Sequence, residues 1–139
     1  MTVESQRHLA ATLKHSDVIV NVASTIAVEA AIFDTPVVNV AFDGEHEAEF
    51  ARSARRYYQF THYASITRHD AVKVAWSPRE LIEQVSVYLD DPAQGRAGRA
   101  QVVREQCQFT DGRSAERVAG FVADEWRARN IKSCAASQV

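Results

Sequence analysis

The chain has 139 residues, 46% of them hydrophobic and 24% charged, with a net charge of -2. That is enough for one domain with a real core and too little for two of ordinary size. The charge excludes a basic field for nucleic acid and a polybasic membrane patch, and no apolar run approaches a transmembrane segment.

Met1-Thr2-Val3-Glu4-Ser5 leads into a polar helix rather than an apolar leader, so no signal peptide is expected and the cytoplasm is the default location. Glu4 to His15 reads as that helix, with Leu9, Ala10 and Leu13 as a narrow apolar stripe and Lys14 and His15 suiting its C-terminal end. His8 and His15 read as surface or packing residues. No strand precedes this helix, which implies an upstream partner, lost or borrowed.

Asp17 to Gly44 organises the rest. Asp17–Val22 and Pro36–Phe42 are β-branched runs too continuously apolar for a sheet with one wet face, so they suit a parallel sheet covered on both sides. Ser24 to Phe33 supplies the crossover helix, and Asp34-Thr35-Pro36 stops it, because proline disfavours a helical residue before it. Ser24 and Thr25 stand at the helix start, where free backbone N–H groups and two hydroxyls suit a phosphate. Glu29 is the one charge on that helix, on Thr25's face and about 6 Å further along the axis. A phosphate at the tip and a carboxylate one turn deeper would hold the diphosphate and ribose of a nucleotide. By default a Ser or Thr here is only an N-cap and a lone Glu is only solvated. Against that default, Glu29 completes no capping box and stands alone on an otherwise apolar helix.

From Glu45 to Tyr58, acids crowd the start and arginines the end, the charge order of a helix along its macrodipole. The functional alternative places Arg52, Arg55 and Arg56 against an anionic acceptor or phosphate. Phe60 to Tyr63 reads as irregular, and Ala71 to Trp76 as a third strand. Ser77-Pro78-Arg79-Glu80 is a strong helix start, with Ser at the cap, Pro first and Glu closing a capping box. Leu81, Ile82, Val85, Tyr88 and Leu89 carry that helix to Asp90-Asp91-Pro92. Gly95 and Gly98 follow no strand, so a phosphate-loop reading fails, and they lead into a helix through about Cys107. Asp111-Gly112-Arg113-Ser114 is a turn opening a last helix with the apolar stripe Val118, Phe121, Val122 and Trp126. Residues 1–130 read as one nucleotide-donor-binding domain and 131–139 as a flexible tail. Cys107 and Cys134 are too few and too isolated for a metal site or a disulfide framework, and no cofactor is expected.

Taken together, Asp17–Val22, Ser24-Thr25, Glu29-Ala30 with Pro36-Val37, the Ser77 helix start and Asp90-Asp91-Pro92 resemble the C-terminal, donor-binding half of GT-B fold glycosyltransferases. Asp111-Gly112-Arg113-Ser114-Ala115-Glu116-Arg117 is similar to the DG-x-[AS]-x-x-R pattern of CDP-glycerol glycerophosphotransferases and related surface-polymer transferases. The resemblance implies an α/β fold: a Rossmann-like parallel sheet flanked by helices, as a single C-terminal-type GT-B domain without its N-terminal partner. It implies a UDP- or CDP-linked donor, with Ser24 and Thr25 on the diphosphate and Glu29 on the ribose. Asp43 would contact the transferred group, and His62 and Tyr63 would close over the phosphates. The acceptor domain, and with it any general base, would come from elsewhere, so no catalytic residue is assigned. Two other readings stay open. One is half of an enzyme like UDP-N-acetylglucosamine 2-epimerase; the other is a non-catalytic flavodoxin-like nucleotide-binding or interaction domain. An exposed face awaiting its partner domain also implies self-association.

Overall fold

A computed structural model describes residues 2–44 and 46–136, with side chains through 129. The chain divides into two compact units, Met1–Cys107 and Gln108–Val139.

The first unit is built on three parallel strands, β1 (Ile19–Asn21), β2 (Val37–Val40) and β3 (Lys73–Ala75), in the order β1-β2-β3. Ile19 pairs with Val37, and Val38 with Lys73. Helix α1 (Val3–His15) begins on Thr2, whose hydroxyl accepts from the Ser5 amide, and α2 (Ile26–Ile32) makes the crossover between β1 and β2. Then follow α3 (Thr61–Thr67), α4 (Pro78–Asp90) and α5 (Arg96–Gln106). This is a Rossmann-like α/β arrangement, as the two β-branched runs imply.

One sheet face buries Val37 with Leu13, Ala27, Ala30, Tyr63 and Val102, so α1, α2, α3 and α5 share a single core. On the other face α4 seats Tyr88 against Val38 and Ala75, with Leu81 and Val85 beside them. The expectation of cover on both faces holds at β2, where Val37 and Val38 are both buried. It does not hold at β1, where Val20 is 51% exposed, because α4 packs over β2 and β3.

Two buried polar tethers hold the layers. Thr35 donates its hydroxyl to the Leu13 carbonyl at 2.7 Å, fixing the end of α1 to the start of β2. Asp34 turns the chain out of α2 with φ at 59°, the left-handed region where Asp and Asn are tolerated better than most residues. Its carboxylate takes one bond from Arg96 and one from Arg99, at 2.7 and 2.8 Å. Arg99 is only 1% exposed, and its remaining donors go to the carbonyls of Gln94 and Pro92. The α2–α5 packing thus closes around a nearly buried guanidinium.

The structure departs from the sequence pattern in two segments. The Arg-rich segment expected as one helix over 45–58 is instead two 3₁₀ pieces, Phe50–Arg52 and Ala54–Gln59; Glu45 lies outside the described residues. Ser53 breaks it: extended and buried, it caps the Arg55 amide with its side chain, and the Asp43 carboxylate draws in the amides of Ala48 and Ala54. Side-chain capture of backbone donors competes with helix here, and the macrodipole charge order is too weak to oppose it. The stretch expected as irregular begins α3 instead, because Tyr63 and Ile66, three apart, both reach the core. At α4 the Ser77 hydroxyl caps the Glu80 amide as expected, while the Glu80 carboxylate takes the amide of Trp76, one residue before the cap.

In the second unit, α6 (Ser114–Ala136) is the only helix among the described residues. It extends into the segment expected as tail, of which 137–139 lie outside the described residues. The Asp111-Gly112-Arg113-Ser114 turn is a self-contained clasp. Arg117 donates two bonds to the Asp111 carboxylate, at 2.7 and 2.6 Å, and its guanidinium lies 3.9 Å from the centre of the Phe109 ring. The motif that carries the family resemblance therefore opens a helix, with no ligand needed to explain its Asp or its Arg.

Candidate functional site

Parallel α/β sheets bind ligands outside the carboxyl ends of their strands, and three chain segments meet there. They are the turn after β1 (Val22–Thr25), the segment after β2 (Phe42–Tyr58) and the entry to α4 (Trp76–Pro78).

In the turn after β1, Ser24 Oγ accepts from the Asn21 side-chain amide at 2.8 Å and from the Ile26 amide at 3.2 Å. With both lone pairs engaged, its own O–H is the group left to donate outward. Thr25 is exposed and makes no capping bond with its side chain. Behind the turn stand two tyrosines. Tyr58 donates to the Val40 carbonyl at 2.7 Å, and burial pushes its hydroxyl well above the ordinary tyrosine range, opposed by the nearby Ala23 amide. Tyr63 is buried, and Asn39 donates to its hydroxyl at 2.6 Å. Burial raises that hydroxyl to about 12, against the Asn39 side chain and the Ser24 amide. Both tyrosines stay protonated at neutral pH and tie the turn to the sheet.

The other expected residues are spread out. Glu29 is half-buried and lines a groove of about 390 Å³ between α1 and α2, with Gln6, Leu9 and Phe33. It is neither turned freely into solvent nor placed in a cleft at the ends of β2 and β3. His62 is exposed on the first turn of α3, stacked on Phe60 at 5.6 Å between ring centres. Tyr63 is a core strut rather than a surface group. Asp43 does lie at the strand ends, but its carboxylate is engaged by Ala48, Ala54 and Arg55.

The Ala54 amide is the main reason the Asp43 carboxyl sits below its usual 3.8, followed by Ser53; desolvation opposes them, and Ala48 and Arg55 add smaller downward contributions. A lowered folded pKa makes the contribution full above the unfolded value and lost as pH falls through the folded one. Acid titration below about pH 4 should therefore loosen the 43–55 segment, and Asp43→Asn should remove that acid-sensitive step. Tyrosine and tryptophan fluorescence across the titration reads it; an identical acid limb in both proteins would count against Asp43 as its origin.

What sequence reasoning missed is a cleft at the ends of β2 and β3. One lobe, about 410 Å³, lies beside β3 and is lined by Val74 within that strand together with Phe50, Arg55, Tyr58, Gln59, Thr67 and Trp76. A second, about 200 Å³, is lined by Asp43, Glu47, Arg55, Trp76, Ser77 and neighbours. Arg55 and Trp76 line both lobes. Trp76 is 52% exposed just past β3, and the sequence marks it only as the end of a strand run. Among the described residues no cluster of His, Cys, Asp or Glu is arranged to hold a metal ion.

A three-stranded parallel sheet flanked by helices defines the class: a Rossmann-like α/β domain. The particular family follows from the chain itself. Residues 1–124 match the model of the CDP-glycerol:poly(glycerophosphate) glycerophosphotransferase family, and the chain belongs to that family. Membership carries a glycerophosphotransferase- or glycosyltransferase-like role in polymer biosynthesis and a nucleotide-linked donor. No curated protein and no solved structure matches. No helix among the described residues is long and apolar enough to cross a membrane.

Proposed function

We propose that this chain is the donor-holding, C-terminal-type half of a two-domain GT-B transferase that uses CDP-glycerol or a related nucleotide-linked donor. The observation that carries the reading is the family match over 1–124, which spans the β1–α2–β2 crossover and the Ser24-Thr25 turn at its tip. With seven residues, α2 has a modest dipole, so the outward Ser24 O–H and the exposed Thr25 hydroxyl carry the diphosphate contact. Glu29, one turn deeper, receives ribose hydroxyls from the α1 side. His62 reaches the leaving diphosphate from the start of α3 as a hydrogen-bond donor. Asp43 and Tyr63 act by holding the two loops that frame the donor, through the bonds described above.

Transfer also needs an activated acceptor hydroxyl in line with the donor. In this reading a second domain, on the same polypeptide or a partner chain, supplies it, and the chain alone binds donor without turning it over. Calorimetric titration with CDP-glycerol tests the proposal, with UDP-linked sugars as the comparison. Glu29→Ala should weaken the preferred donor by about 1–3 kcal/mol, the range for hydrogen bonds to a charged group. Unchanged affinity in that variant removes Glu29 from the site, and no binding of any nucleotide donor removes the reading itself.

A further inference from the structure

The cleft joined at Arg55 and Trp76 has no part in donor binding as described. Tyr58 separates the two regions: its hydroxyl lies at Val40 and the Ala23 amide, while its ring meets Trp76 at 5.6 Å between centres. A ligand in the cleft is therefore a neighbour of the turn after β1, not a part of it.

Charge decides what kind of ligand fits. Among the described residues Arg55 is the cation lining the cleft, and it lies 3.8 Å from Asp43 and 3.4 Å from Glu47, its Nε donating to Ser53 Oγ at 3.1 Å. Two carboxylates face one guanidinium, so the lobe offers no net positive field to a phosphate. It does offer hydroxyl partners of both senses. Asp43 and Glu47 accept, the outer nitrogens of Arg55 and the Ser77 hydroxyl donate, the Thr67 oxygen accepts because its O–H goes to the Ala64 carbonyl, and Gln59 does both. Beside them stand two broad apolar faces, Trp76 and Phe50, each about half exposed. A ligand with one apolar face and polar edges fits such a lining.

We propose that this cleft is a subsite for a neutral pyranose ring, stacked by its C–H face on Trp76 and held by its hydroxyls at the rim. Its assignment to the acceptor saccharide rests on the polymer-transferase reading above; the ring site itself does not.

The test follows the indole N–H signal of Trp76 by NMR in the full chain, assigned by comparison with Trp126→Phe. Cellobiose, maltose and diacetylchitobiose are titrated, with glycerol 3-phosphate and CMP alongside. At least one neutral disaccharide should shift the signal saturably, and Gln59→Ala together with Thr67→Val should weaken that binding about tenfold or more. A flat response to every disaccharide up to tens of millimolar overturns the proposal, as does a stronger response to glycerol 3-phosphate or CMP. CDP-glycerol titrated into the unaltered chain separates the two ideas. Disaccharide binding without CDP-glycerol binding sinks the donor reading and leaves this one standing.

Discussion

Asp34→Ala should destabilise the first unit by about 1–3 kcal/mol, the cost of leaving a buried donor group without its partner. The reason lies less with Asp34, which is partly exposed, than with Arg99, which is 1% exposed and loses its one carboxylate partner among the described residues. Two carbonyls, from Gln94 and Pro92, would remain around a charge with no counter-ion. Alanine also tolerates a φ of 59° poorly, so the turn out of α2 strains as well. Asp34→Asn keeps an oxygen acceptor and the left-handed backbone and should cost less. Urea unfolding followed by far-UV circular dichroism ranks the variants, and Asp34→Ala within experimental error of the parent would show that Arg99 is not held as described. Replacing both residues, Asp34→Gly with Arg99→Met, should recover much of the loss, since an apolar side chain of similar length needs no partner.

Gly98→Ala should be comparably severe. A Cβ at Gly98 would run into the His69 carbonyl oxygen and stand 2.9 Å from the Ala71 amide nitrogen, both backbone atoms. Neither can swing aside as a side chain can, so α5 would have to lift from the α3–β3 connection. Val102, one turn further along α5 and fully buried, would be drawn out of the core with it. Forced overpacking of this kind costs about 1–3 kcal/mol and more where backbone must move, and the upper end is expected here. Gly120→Ala is the control, because nothing lies within 4 Å of its Cβ and alanine favours helix. Equal unfolding midpoints for Gly98→Ala and the parent would disprove the close approach. In the sequence Gly98 marks only the lead into a helix; its real demand is for space, which no local pattern reveals.

The same contrast runs through the molecule. Helix α4 was legible because each of its signals is local: Ser77 at the cap, Pro78 first, then an apolar stripe through Tyr88. Even there the Glu80 carboxylate reached back to Trp76 rather than to the cap, a difference of one residue that side-chain geometry settles. The 45–58 segment misled because its charges spelled a helix while the decisive partner, the Asp43 carboxylate, sits outside it. The candidate site shared both fates. Ser24 and Thr25 sit where the strand–turn–helix pattern puts them, whereas the Arg55–Trp76 cleft joins residues 21 apart that no spacing rule connects.

Sequence alone determined what depends on neighbours in the chain: the two β-branched strands, the crossover between them, the capped α4 and the clasped start of α6. Strand runs and helix caps are set by backbone sterics and short-range hydrogen bonds, which residue order encodes directly. Tertiary structure decided where Glu29 opens, which tyrosines lie beneath the turn, and that Trp76 shares a cleft with Arg55. Those outcomes depend on which distant groups are buried together, and burial is a property of the packed whole.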